Sequence, residues 1–426
     1  MSADAERKPP KQPARLEVHY EANPGKRLHV GSLALDHGHP MFQFAEGWLV
    51  DAKPLAPLTV SARPGLISGP VRMPDRLHGV FADSLPDAWG HVIADRHFAN
   101  VGLPRERITI LDRLAFVGTH GMGALVYLPP DETESHESFT PDLDALQEEA
   151  GRVLVGSSSE MLPKLMAAAG SPGGARPKVL VGINSDGQMV AGAEPLPAGY
   201  TACLVKFGTR DDGGDDAAVE FAYRQMANAA GLRVPDARLL SSACSRYFAI
   251  TRFDRAPAGR RIHVLTASGL IDVPQDYFAI EYGELGSVIA QVCASYAEAQ
   301  EFARRMAFNV LAHNRDDHLK NSALLMADDG TWALSPAYDL TFMPGPGGEH
   351  SMLVAGEGRA PTVGHLLRAS EAMGVERSRM KAIIEQVTVA VDGWNTFADE
   401  AALSPSRRRE IESTLRRTKR EVVANR

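Results

Sequence analysis

The chain has 426 residues, room for two or three domains and for a buried core that needs no disulfide or metal staple. Its 45 Lys and Arg against 53 Asp and Glu leave a formal net charge of −8, which excludes a protein that coats nucleic acid by bulk charge and restricts any DNA contact to a local patch or a partner. Three scattered cysteines, Cys203, Cys244 and Cys293, with no CxxC pair, exclude a disulfide framework and a structural zinc site and fit a reducing cytosol.

Residues 1–15 carry Lys8, Pro9, Pro10, Lys11 and Pro13 without an apolar run, so they read as a disordered tail and not as a signal peptide. No stretch approaches the roughly 18–20 apolar residues of a membrane helix, and a soluble, cytoplasmic protein is expected. From Leu16 to about Thr59, short β-type segments such as 16–20 and 42–44 alternate with Gly and Pro, the pattern of a small sheet. Residues 76–102 read helical around Leu85-Pro86-Asp87-Ala88-Trp89-Gly90, and 121–128 return to strand before Pro129-Pro130.

From Asp131 to about Glu149 the composition turns acidic and rich in Ser, Thr and Pro, which marks a solvated connection and a domain boundary, with a helical end at 143–154. The glycine-rich run from Gly170 to Lys178 then leads into a strand at 179–183, and a second strand at 202–207 carries Lys206. Apolar residues at three- and four-residue steps predict a helix over 217–230, with Gly231 as its left-handed stop. Strands are predicted around 238–240 and 247–253. Beyond 297 the pattern is helical apart from a hairpin, 323–326 and 332–335, turned by Asp329-Gly330. The terminal segment 407–426 holds eight basic residues against three acids and reads as a solvated helix face in preference to a nucleic-acid or partner contact.

Chemistry concentrates in the segment from Phe308 to Asn321, where Asp316, Asp317, His318, Lys320 and Asn321 share one loop between a helix and the hairpin. Eighteen residues after Asn321, past the hairpin, stands Asp339. Phosphoryl transfer asks for such a set: a carboxylate to accept the proton of the attacking hydroxyl, then an amide and a second carboxylate to hold Mg²⁺ between ATP phosphates. The interval of five residues from Asp316 to Asn321 equals that of the protein-kinase catalytic loop, and the hairpin brings Asp339 back towards Asn321. Lys206, a cation within an apolar strand, suits a phosphate, and Glu220 on the following helix could orient it or could simply face solvent. Gly170, Gly173 and Gly174 expose backbone N–H groups beside Lys178, although the run is not a Walker motif.

With these residues in view, the chain resembles the HipA-like serine/threonine kinases, toxin components of bacterial toxin–antitoxin systems, over most of its length. The matching pieces, in order, are 81–87, 121–125, 171–178, Val205-Lys206, Glu220 with 231–235, Arg252-Phe253-Asp254-Arg255, 314–321 and 336–339. The resemblance implies an α+β, two-lobed protein-kinase-like fold with a small N-terminal β-rich subdomain (16–130), a kinase N-lobe with glycine-rich loop and hinge (131–255) and a mainly helical C-lobe (256–426). It further implies Asp316 as catalytic base, Asn321 and Asp339 as the Mg²⁺ holders, and Lys206 as the ATP phosphate lysine. Ser171, Gly173, Gly174, Lys178, Glu220, Thr251, Phe253 and His318 would complete the nucleotide site, the backbone of 251–253 reading adenine, and Ser171 would be the self-phosphorylated serine. The expected cofactors are ATP and Mg²⁺. The expected partners are a protein substrate and a separate helix-turn-helix antitoxin through which DNA is reached indirectly, because no such motif is apparent in this chain. Two other readings stay open at this point: a small-molecule kinase of the antibiotic-phosphorylating type, and a catalytically idle corepressor.

Overall fold

The computed structural model describes residues 11–129, 138–157, 161–169, 174, 176–208, 214–242, 244–277 and 280–424. The chain forms two compact units, Met1–Thr209 with Asp254–His263, and Arg210–Phe253 with Val264–Arg426. The first is β-rich and the second mainly helical, an α+β architecture of the expected class.

In the first unit β1 (Arg15–Asn23), β2 (Lys26–Asp36), β3 (His39–Phe44), β4 (Leu66–Ser68) and β5 (Leu125–Leu128) form an antiparallel sheet in the order β4-β3-β2-β1-β5. Leu16, Val18 and Tyr20 alternate inward along β1 and are buried, the period of two that defines one covered sheet face. Most of the expected tail lies outside the described residues, but Gln12 donates from Nε2 to Asp112 Oδ2 and to the Arg107 carbonyl, each at 2.7 Å. Asp112 itself closes a capping box with Thr109 at the start of the helix Ile110–Val117.

Residues 76–102 are not one helix. A short turn of helix, Gly79–Ala82, is separated from the helix Ala88–Asn100 by the loop 83–87. Pro86 explains the break: it lacks an N–H and drives Leu85 away from the helical region. The strand expected over 121–128 starts only at Leu125, because Gly121 to Gly123 turn to meet a different partner. Asp254, buried, accepts the Gly123 N–H at 2.9 Å and the Arg255 guanidinium at 2.7 Å, and Arg255 also donates to the Gly121 carbonyl at 2.9 Å. Residues far apart in sequence thereby draw 254–263 into the first unit. A smaller antiparallel sheet follows, in the order β7-β6-β8, from β6 (Lys178–Ile183), β7 (Met189–Val190) and β8 (Thr201–Lys206).

In the second unit the helix Asp216–Ala229 ends at Gly231, whose φ of +82° confirms the left-handed stop. β9 (Ala237–Ser241) and β10 (Arg246–Thr251) pair antiparallel. A further strand, β11 (His263–Thr266), had no clear signal in the sequence and joins β12 (Ala323–Met326) and β13 (Trp332–Leu334) in a three-stranded sheet. The helix Tyr296–Leu311 is buried almost all round, with Phe302 and Phe308 fully enclosed, each worth roughly 1.5–3 kcal/mol of apolar burial. Its buried charges are paired: Arg305 with Glu301 at 3.2 Å and with the Ser335 carbonyl, and Arg304 with the Ala230 carbonyl at 2.9 Å.

The basic segment forms the helix Pro405–Ala424, in which Arg407, Arg408, Arg416 and Lys419 pair with Glu410, Asp399, Glu412 and Asp392. That pairing fits a solvated helix face. Among the described residues no helix is long and apolar enough to cross a membrane.

Candidate active site

The loop that carries Asp316 begins where the buried helix Tyr296–Leu311 runs out. His313 turns into the left-handed region with φ +53°, and the Ala312 carbonyl is taken by the Tyr223 hydroxyl at 2.7 Å. Asn314 folds back on the last helical turn, its N–H to the Asn309 carbonyl and its Nδ2 to Asn309 Oδ1, both at 2.9 Å. Arg315 N–H donates to the Met343 carbonyl at 3.1 Å, and Met343 N–H to the His313 carbonyl at 3.2 Å, so the strand-like path of the loop is held from outside.

The adjacent carboxylates then diverge. The Asp317 side chain is buried and its oxygens accept from Tyr282 Oη at 2.8 Å, His350 Nδ1 at 2.8 Å and the Ser351 N–H at 2.8 Å. Tyr282 Oη in turn accepts from Asn309 Nδ2 at 3.0 Å, which links Asp317 to Asn314 through one buried chain of polar groups. The Asp316 side chain is 44% exposed and points the other way, with His318 Nε2 at 3.8 Å. A carboxylate that must meet a substrate hydroxyl has to be reachable, and of the two only Asp316 is. His318 keeps a buried Nδ1 without a protein partner.

Asn321 closes the short 3-10 turn Leu319–Asn321 and donates from Nδ2 to the Asp316 carbonyl at 2.6 Å, which turns Oδ1 the other way. Leu324 pairs with Leu334, and the Ser335 N–H still bonds the Ala323 carbonyl at 2.9 Å, so the residues before β12 and after β13 leave the hairpin at the same end. Asp339 sits beyond that end in the left-handed region, φ +52°, a conformation Asp tolerates better than most side chains. Tyr338 Oη donates to the Lys320 carbonyl at 2.5 Å and ties the residue before Asp339 to the residue before Asn321. Hard oxygen donors of this number suit Mg²⁺, which leaves its remaining positions to phosphate and water. Among the described residues no three His, Cys, Asp or Glu side chains form a metal cage.

Within the same unit Glu220 is buried on the helix Asp216–Ala229, not turned to solvent. Thr251 ends β10, its N–H bonded to the Asp236 carbonyl at 2.8 Å, and β10 stops there and not at Phe253. The Phe253 ring lies 5.3 Å from that of Tyr338 at 37°, which brings the predicted adenine-reading segment to the residue that ties the hairpin end.

The remaining predicted residues lie in the first unit. Antiparallel pairing of β6 and β8 sets Lys178 directly opposite Lys206, so both cations share one sheet face. Lys178 is buried, and its Nζ lies 2.3 Å from where a Cβ on Gly174 would stand. With φ at +105° as well, position 174 admits only glycine. Ser171 and Gly173 lie outside the described residues.

Several residues around the site carried no sequence signal. Tyr223, Tyr282 and Asn309 sit within apolar helical patterns, and His350 lies 33 residues beyond Asp317. Their roles depend on which helix face meets the loop.

Two family models match the chain: the HipA N-terminal domain over residues 25–128 and the HipA-like C-terminal domain over residues 170–395. A protein of Sinorhizobium fredii named "Putative kinase Y4dM" is 37% identical over 135 residues, which are 28% of this chain and 32% of that protein, so the match spans about a third of the relative's length. A solved Shewanella oneidensis structure, described as the toxin–antitoxin system HipA, HipB and its operator DNA complex, superposes with a TM-score of 0.67 over 96% of each chain at 17% identity. At that identity the likeness is one of fold. Because the C-terminal model alone covers more than half of the 426 residues, the chain belongs to the HipA-like family.

Proposed function

We propose that the chain is an ATP- and Mg²⁺-dependent serine/threonine protein kinase and the toxin component of a toxin–antitoxin pair. The observation that carries this reading is the divergence of Asp316 and Asp317: the Asp316 carboxylate is exposed on a residue whose backbone carbonyl accepts from Asn321, while its neighbour is buried in the framework. Asp316 accepts the proton of a substrate serine or threonine hydroxyl, and His318 stands next to it. Asn321 Oδ1 and the Asp339 carboxylate would hold the metal, and Lys206 and Lys178 would meet the phosphates. Bound Mg²⁺–ATP supplies the phosphoryl group and neutralises charge on it as it transfers.

Ser171, in the glycine-rich run, is the proposed site of self-phosphorylation. About two added negative charges would disfavour the return of that run to ATP and so silence the enzyme. The Shewanella structure contains HipA together with HipB and operator DNA. On that likeness we assign this chain a separate antitoxin partner through which it reaches DNA; the cytosolic protein substrate is part of the kinase proposal itself.

The test is incubation of the full chain with radiolabelled ATP and Mg²⁺, followed by mass spectrometry of the peptide that holds Ser171. Label should enter slowly in the native chain and be absent in Asp316→Asn. A native chain that binds no ATP and transfers no label would reject the kinase reading and favour a catalytically idle member of the family.

A further inference from the structure

Gly174 is held by two residues of a distant segment and by Lys178 of its own. Its N–H donates to Asp87 Oδ2 at 2.7 Å, its carbonyl accepts the Trp89 N–H at 3.3 Å, and the Lys178 ammonium lies over its α-carbon. Trp89, 1% exposed, adds a third bond from its indole Nε1 to the Lys178 carbonyl at 3.1 Å. Two residues of the Leu85–Gly90 run, Asp87 and Trp89, therefore grip both Gly174 and the backbone of Lys178.

Asp87 occupies the residue just before the helix Ala88–Asn100, with extended φ and ψ of −81° and −171°. An Asp there ordinarily accepts an N–H from the first turn of its own helix, worth about 1 kcal/mol. Here it makes no such bond, and its carboxylate goes to Gly174. Pro86 packs so closely that a Cβ on Gly90 would come within 2.8 Å of it, which fixes the turn that aims Asp87. A charge-assisted bond between a carboxylate and a backbone N–H is stronger than a neutral one, so this contact outweighs a lost cap.

We propose that Asp87 and Trp89 are positioning residues for nucleotide binding: they set the root of the glycine-rich run so that Lys178 stands opposite Lys206 with its ammonium over Gly174. This rests on the kinase reading above and adds to it a function for the segment that holds Asp87 and Trp89. Lys178 without that anchor keeps its charge but loses its place, and affinity for ATP falls while the chemical step, carried by Asp316, is left alone.

The experiment compares native chain, Asp87→Ala, Asp87→Asn and Trp89→Phe at full length, by calorimetry with Mg²⁺–ATP, by steady-state transfer and by amide exchange at Gly174. Asp87→Ala should weaken ATP binding and raise KM about tenfold, with kcat at saturating ATP within about twofold of native. Asp87→Asn keeps an acceptor oxygen and should recover most of that loss with native melting, while Trp89→Phe, which removes only the indole donor, should fall between. Exchange at Gly174 should quicken in Asp87→Ala and stay slow in Asp87→Asn. Native affinity in Asp87→Ala would overturn the proposal, as would tighter binding, which would mean that Asp87 occupies the place of a phosphate. A native chain that binds no ATP would instead reject the kinase reading, and the exchange at Gly174 would still decide whether Asp87 holds the glycine.

Discussion

The Tyr338 hydroxyl donates to the Lys320 carbonyl at 2.5 Å, a bond that ties the residue before Asp339 to the residue before Asn321. The Phe253 ring rests against Tyr338 at 5.3 Å, so three stretches of chain converge on one phenol. Removing the Asp339 carboxylate should abolish the Mg²⁺ enhancement of ATP binding without unfolding the chain. Tyr338→Phe keeps the ring contact and loses the tie, and should weaken that enhancement by roughly three- to tenfold. Calorimetry with and without Mg²⁺ reads both variants. An unaltered enhancement in Asp339→Ala would remove Asp339 from the metal site.

Asp316→Asn and Asp317→Asn should fail in different ways. The Asp316 side chain is 44% exposed and its amide variant keeps shape and volume, so that variant should melt and bind ATP as native while transfer drops by about 10² or more. Asp317 accepts three hydrogen bonds inside the protein, and its variant should lose about 2–3 kcal/mol of stability, with a smaller loss of transfer once folded. Paired melting curves and radiolabel transfer decide it. A larger transfer loss in Asp317→Asn at equal folding would move the base to that position.

Lys178 and Lys206 face one another across β6 and β8, and either one replaced by Met should reduce ATP affinity. The salt dependence of ATP binding should flatten with each loss, because fewer protein charges then act on the phosphates. Titrations at low and high salt check this, and an unchanged slope for both variants would place the phosphates elsewhere.

The His263 imidazole is fully buried with Nε2 at 3.0 Å from the Leu55 carbonyl, and burial pushes its pKa down to about 4 from an ordinary 6.5. The His313 ring, buried and near Arg315, His350 and Arg417, is likewise lowered to about 4. For a base whose folded pKa lies below its unfolded value, the unfolded chain binds the proton first. Stability is therefore complete above about pH 6.5 and declines as pH falls towards 4, by about 3 kcal/mol for His263. Urea unfolding between pH 4 and 7 should show that slope, and His263→Gln should flatten it. An identical slope in the variant would assign the acid sensitivity to other groups.

Much of the local structure was legible in the sequence because it depends on short-range periodicity. The helix over 216–229 with its Gly231 stop, the hairpin after Asn321, the strand that carries Lys206 and the strand from 179 follow from apolar spacing and turn residues alone, whereas Lys178, read as the end of the glycine-rich run, is the first residue of that strand. The order Asp316, Asn321, Asp339 was legible for the same reason, since five residues and one hairpin fix which end of the element they share. The interval to Asn321 also singled out Asp316 from its neighbour, but the fate of Asp317 was not legible, because it depends on Tyr282 and His350 arriving from distant segments to bury it. The break at Pro86 is a local signal, but the partner of Asp87 is not: Gly174 lies 87 residues away, and only the folded chain decides that its N–H displaces a helix cap. Spacing sets what the backbone can do nearby, whereas the destination of each buried polar group is settled by long-range packing, which must satisfy every one of them at once.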